Sequence, residues 1–225
     1  MSMSSGGRAR VVRLGEIEPI AVGGGLYQPL RHLLGVRAFG INAYVARNVG
    51  DQLIEEHDET GAGSGRQEEA YIVVSGGARF SVDGDEIDAP PGTVVFVPEV
   101  TARRAAVATE AGTTAIVVGG PADRPLPASP FEYWFRAEAP YRQGEYEAAI
   151  KIAVEGLEQW PDHPVIHYQL ACYHALAGDY ENALDRLERA AAGDNRVREW
   201  AARDSDLDVL HTQPRFKTLT EARNE

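Results

Sequence analysis

Few side chains here combine the type and the spacing that chemistry needs. His57 stands inside an acidic run of Glu55, Glu56, Asp58 and Glu59, which reads mostly as a solvated strand end. His163 and His167 have a spacing that chelates on a helix, but His163 follows Pro161-Asp162 in a turn, so these two and His174 are expected on the surface or in a groove. Gly61, Gly63 and Gly65 imitate a phosphate loop; no helix begins after them, so a plain loop is expected. No Ser, His and Asp set sits in a nucleophile elbow, which leaves hydrolysis without support. Cys172 is the sole cysteine. It excludes an internal disulfide, fits a reducing compartment and, between Ala171 and Tyr173 on a helix, is expected as a small core residue.

Two kinds of scaffold are on offer to position these groups. Over 36–47, 53–57, 70–75, 78–82, 94–97, 105–108 and 113–118, short apolar runs bounded by turn residues read as strands. Ser75-Gly76-Gly77, Val82-Asp83-Gly84-Asp85 and Ala89-Pro90-Pro91-Gly92 are turn sequences, Asp83-Gly84 is a hairpin signal, and Gly23-Gly24-Gly25 reads as a further turn. No helical periodicity interrupts residues 11–118, so an antiparallel sandwich or barrel is predicted. Tyr71, Phe80 and Phe96 are expected as aromatic core. Residues 119–130 carry four prolines and two glycines and place a domain break near 125, with Ser129-Pro130 set up as helix cap and first helical residue.

After the break, one pattern occurs twice, 34 residues apart: Pro130 and Pro164, Gly144-Glu145-Tyr146 and Gly178-Asp179-Tyr180, Ala149 and Ala183. A period of that size means stacked helical hairpins. Ala137, Ala149 and Gly156, then Ala171, Ala183 and Ala190, are small at matching places and mark where helices cross closely. Over 130–197 this resembles the tetratricopeptide repeat, although Asn195 stands where the first copy has Pro161. Residues 198–220, with Trp200, Leu207, Leu210, Phe216 and Leu219, read as a terminal capping helix. Two repeats and a cap are a short array, expected to lean on the preceding domain.

The formal charge of −12 is spread over both parts, with 18 acidic and 11 basic side chains in 130–225 and 16 and 11 before it. No basic stripe exists, which argues against nucleic acid as a partner. No apolar run approaches the roughly 18 residues a membrane span needs, and residues 1–10 lack the apolar stretch of a signal peptide. A cytoplasmic protein is expected.

Glu69, six residues and Gly76 reproduce the end of the motif G(X)5HXH(X)3,4E(X)6G, with Gly50 and His57 near its start; Gly92, five residues and Pro98 reproduce the start of G(X)5PXG(X)2H(X)3N. Over 35–118 the chain therefore resembles the cupin family. That resemblance implies a small barrel, a double-stranded β-helix, with a metal in its mouth. Here Glu59 takes the place of one ligand His, Arg103 that of another, and residues 60–66 are inserted between the strands carrying His57 and Glu69. An arginine about 5 Å from a dication repels it by about 6 kcal/mol even at an effective dielectric near 20.

These readings predict an α+β multidomain protein: a cupin-like antiparallel β-barrel over 11–120, a Pro-rich linker over 121–129, and an all-α tetratricopeptide-like domain with its cap over 130–225. The barrel is expected to bind a small polar or anionic molecule without a cofactor, using Arg103 as counter-charge and His57, Gln67 and Glu69 as polar wall. The alternative is a metal-dependent cupin enzyme, of dioxygenase or isomerase type, holding a divalent transition metal through His57, Glu59 and Glu69 with Gln67 as a possible fourth ligand. The helical array is expected to receive a protein partner or a second copy of the chain, and sheet edges to pair two chains into a homodimer.

Overall fold

Alternation of buried and exposed side chains organises residues Met1–Pro125, the first of two units in the computed structural model, which describes residues 11–22, 25–61 and 64–221. Its strands are β1 (Ile20–Val22), β2 (Gly25–Gln28), β3 (Gly40–Val45), β4 (Gln52–His57), β5 (Gln67–Ser75), β6 (Ala78–Val82), β7 (Asp85–Ala89), β8 (Val94–Val97), β9 (Arg104–Ala108) and β10 (Thr114–Pro121). They form two antiparallel sheets, one in the order β1-β2-β3-β10-β5-β8 and the other β4-β9-β6-β7. Between the sheets lie Leu53, Tyr71, Val73, Phe80, Val95 and Ala115, all buried.

The expected closed barrel is therefore a two-sheet sandwich: among the described residues no ladder joins β7 to β8 or β4 to the larger sheet. At the β7–β8 corner Pro90 and Pro91 offer no N–H to continue a ladder. The Asp83-Gly84 hairpin forms, pairing Val82 with Asp85 and carrying φ of 49° and 93° at its two central residues. A short helix, α1 (Leu30–Leu34), breaks the stretch expected to be free of helix; five residues are too few to show periodicity. Leu30 packs with Ile17 and Ala43, covering part of the larger sheet's outer face. Of the Gly23-Gly24-Gly25 turn, Gly23 and Gly24 lie outside the described residues, as does Gly63 of the inserted loop, and Gly25 opens β2.

The second unit, Leu126–Glu225, is helical. Ser129 caps α2 (Pro130–Arg142) in a reciprocal capping box with Glu132, and α3 (Tyr146–Gln159), α4 (Pro164–Leu176) and α5 (Tyr180–Gly193) follow. The Trp160 indole N–H donates to Ala128 O at 2.8 Å and fastens the segment before α2 to the end of α3. The expected single capping helix is three pieces: α6 (Arg196–Ala201), a 3-10 helix (Ser205–Leu210) and α7 (Pro214–Glu221). Asp204 takes the Asp206 N–H and starts the middle piece, and Pro214 starts the last. Leu207, Leu210 and Phe216 are nonetheless buried.

His167, expected on the surface or in a groove, is buried instead, with Nε2 2.9 Å from Pro161 O. Cys172 is buried.

Candidate functional site

One carboxylate oxygen gathers the polar groups between the two sheets. β5 directs Glu69 and Tyr71 inward, while β9 directs Arg104 inward, opposite His57 on β4. Glu69 Oε2 accepts from the Tyr71 hydroxyl at 2.5 Å and from Arg104 Nη2 and Nε at 3.1 and 3.3 Å. His57 Nε2 lies 3.6 Å from the same atom, an ion-pair contact. The Arg104 side chain is 0% exposed and also donates to Ala102 O at 2.7 Å. Its guanidinium is thus spent on groups within the chain, which is how a buried cation is tolerated.

Glu59 completes the cluster from the loop after β4. Its Oε2 accepts the Gly65 and Gln67 backbone N–H groups at 3.1 and 3.2 Å, and its Oε1 lies 4.0 Å from His57 Nε2. His57 Nδ1 is 2.7 Å from Glu55 O, which turns Nε2 toward the two carboxylates. The Gln67 side-chain amide lies against Gly40 and Gly119, beside this group.

These contacts set the protonation. The neighbouring Glu69 carboxylate holds the His57 imidazole above its usual range, partly opposed by burial. For Glu69, burial favours the neutral form, but contacts from His57 and Tyr71 and the Arg104 charge outweigh it and hold the carboxyl below its usual range. Burial, then the charge of Glu69, pushes the Tyr71 phenol up, so Tyr71 remains a donor.

Sequence reasoning placed the arginine one residue off. Arg103 precedes β9, points outward and pairs with Glu56 at 2.6 Å, with both side chains more than half exposed. Along β9 the buried positions are Arg104, Ala106 and Ala108, so the pleat puts 104 inside and 103 out. The inward-facing guanidinium on β9 is that of Arg104, and it pairs with Glu69. His57, Glu59, Gln67 and Glu69 do converge. Tyr71, expected as aromatic core, also belongs to the polar group.

The resemblance raises the question of a metal. One donor atom each from His57, Glu59 and Glu69 lies within 4.8 Å of the others, and His57 presents Nε2. The charges fit a dication poorly, because the Glu69 oxygen facing His57 is the one that Arg104 and Tyr71 hold. An ion there would share the Glu69 carboxylate with the Arg104 guanidinium and be repelled by its charge.

No family model and no curated protein matches the chain. Similar solved structures cover its N-terminal half. KdgF from Halomonas sp. is 16% identical with a TM-score of 0.40, over 48% of this chain and 90% of that one. An RmlC-like cupin from Shewanella frigidimarina is 19% identical with a TM-score of 0.38, over 48% and 87%. A cupin protein from Bacteroides fragilis is 14% identical with a TM-score of 0.38, over 51% and 92%. Among the described residues no helix is long and apolar enough to cross a membrane.

Proposed function

We propose that the β unit is a binding module for a small hydroxyl-bearing polar molecule and works without a metal. The observation that carries this reading is the Arg104 guanidinium closed onto Glu69, where a metal-binding site would need an unencumbered ligand. The groups left to meet a guest are His57 Nε2, Glu59 Oε1 and the Gln67 amide, a donor and acceptor set suited to hydroxyls. A thermal-shift screen of small hydroxylated compounds tests it, with hits expected to weaken in His57→Ala and Gln67→Ala. One equivalent of transition metal in protein purified without added metal, lost on His57→Ala, overturns it.

A second reading is metal-free acid–base catalysis, favoured by the raised His57 imidazole 3.6 Å from Glu69. Turnover of a small organic compound that disappears in both His57→Ala and Glu69→Gln supports it; turnover retained in both removes it.

The helical unit we read as a short tetratricopeptide-like interaction module for a protein partner. Its support is the spacing of helix starts, Pro130 and Pro164, Tyr146 and Tyr180, and the burial of Ala137, Ala149, Ala171, Ala183 and Ala190. A Cβ on Gly156 would lie 3.0 Å from Ile166 Cδ1 and from the Tyr133 ring, so the helices cross closely there. We further read the edge strand β8, whose Val94 and Phe96 are exposed, as the face that pairs with a second copy of the chain.

A further inference from the structure

Four aromatic rings from three helices line one cavity of the helical unit. Its volume is about 800 Å³, and the rings are those of Phe131 and Trp134 on α2, Tyr168 on α4 and Trp200 on α6. They stand in two pairs: Phe131 and Trp134 have centroids 6.2 Å apart, and Tyr168 meets Trp200 edge to face at 5.8 Å. Phe131 is 48% exposed and Trp200 38%, area that rings serving only the core would have buried. The apolar surface runs on along α2 to Phe135, 67% exposed and 5.6 Å from the Trp134 ring. Exposed apolar surface of this kind with charged side chains at its rim marks an interaction site.

Charge decides what such a surface receives. Two arginines line the cavity and both are already held: Asp194 takes Arg196 Nε and Nη2 at 3.0 and 2.7 Å, and Glu199 pairs with Arg203 at 3.1 Å. The Arg196 guanidinium lies over the Trp200 ring, 5.5 Å from its centroid, so Asp194, Arg196 and Trp200 make a complete set of carboxylate, cation and ring. Asp204 and Tyr168, in the same lining, repeat that set without the cation. Among the described residues Asp204 meets only neutral donors, the Tyr168 hydroxyl at 2.6 Å, the Asp206 N–H at 3.0 Å and Cys172 Sγ at 3.8 Å. A carboxylate accepts about four bonds, so Asp204 Oδ1 keeps room for a further donor. Acidic side chains outnumber basic ones 18 to 11 in residues 130–225, and that field draws a positive partner toward the unit.

We propose that this cavity receives an arginine side chain from a basic, apolar-flanked segment of a partner protein, with the guanidinium set among the rings against Asp204 and the flanking apolar residues on Phe131 and Phe135. The inference rests on the reading of the helical unit as an interaction module and adds the chemistry of its partner. Arginine suits the cavity better than lysine, because a planar, weakly hydrated guanidinium stacks on aromatic faces while its N–H groups donate in the plane. A protein segment suits it better than a free organic cation, because the exposed apolar strip extends past the cavity lining to Phe135.

The probe is a random dodecapeptide library displayed on phage and selected against full-length protein at about 0.15 M salt, where long-range attraction is screened. Selected peptides are expected to carry arginine beside apolar residues and to shift the indole N–H resonances of Trp134 and Trp200, which line the cavity, but not that of Trp160. Replacing the peptide's arginine by citrulline, its neutral isostere, is expected to weaken binding at least about fivefold, a result that needs no change to the protein. Trp134→Leu and Asp204→Asn are expected to weaken it similarly with the helical circular dichroism unchanged. Acidic or uncharged binders, a citrulline peptide that binds as tightly, or shifts confined to Trp160 overturn the proposal while leaving the interaction module standing. A library that yields no binder removes both readings, and benzyltrimethylammonium binding as tightly as the peptides makes the cavity a small-molecule site instead.

Discussion

Adjacent arginines at 103 and 104 have opposite surroundings, and substituting each measures what its surroundings are worth. Arg104→Met strands the Glu69 carboxylate between the sheets and leaves Ala102 O without its donor; a loss of about 3–5 kcal/mol is expected in urea unfolding of the β unit. Arg103→Ala breaks only an exposed pair with Glu56 and should cost no more than about 1 kcal/mol. Equal effects would refute the inward assignment of Arg104. The pH dependence has two limbs. His57 binds its proton more tightly when folded, so its contribution is complete below about pH 6.5 and disappears as pH rises through the raised folded value. Glu69 is depressed, so its contribution is complete above about pH 4.3 and is lost as pH falls through the lower folded value. His57→Gln should flatten the upper limb in unfolding midpoints followed against pH. Motif spacing made Glu69 legible in the sequence, seven residues before Gly76, and His57 was legible as the histidine near the motif's start. Arg104 was not legible, because a motif aligns residue types while the pleat decides which of two neighbours faces inward.

Among the elements, the Ser75-Gly76-Gly77 turn leaves no room for a side chain at its centre. Gly76 has φ of 66°, and a Cβ there would meet Thr113, whose Cα would lie 2.7 Å away. The buried Thr113 hydroxyl donates to Gly77 O at 2.9 Å and receives the Gly77 N–H at 3.1 Å. Gly76→Ala is therefore expected to destabilise the β unit by about 2 kcal/mol or more, read from its thermal or urea midpoint. A change below about 0.5 kcal/mol would mean that the turn relaxes freely. Strands with clear apolar runs and flanking glycines were readable from sequence, as were the starts of α2 to α5, because Pro130, Pro164 and the glycine turns punctuate them. β1, β2 and β7 were not: they are short, and β7 is mostly exposed with charged side chains. The broken cap at 196–221 also escaped, since its apolar residues keep a helical spacing while Asp204 and Pro214 interrupt the backbone.

For the whole molecule, the two units supply distinct expectations. The buried cluster of the helical unit draws on Ala137 through Phe216. A fragment spanning 126–225 is therefore expected to unfold cooperatively by itself, contrary to the sequence-based expectation that a short array leans on its neighbour; a broad, non-cooperative melt of that fragment would restore the earlier view. The β8 edge gives a second expectation, a dimer in light scattering that Phe96→Lys shifts toward monomer, whereas wild-type monomer at high concentration would remove that edge as a pairing face. The clasp from Trp160 to Ala128 has an experimental corollary. All three indoles, Trp134, Trp160 and Trp200, belong to residues 126–225, so the first half is dark at wavelengths that excite tryptophan. Tryptophan emission then follows the helical unit alone, and in Trp134→Phe, Trp200→Phe protein it follows the release of Trp160 from Ala128, while strand circular dichroism keeps a separate clock for the sandwich.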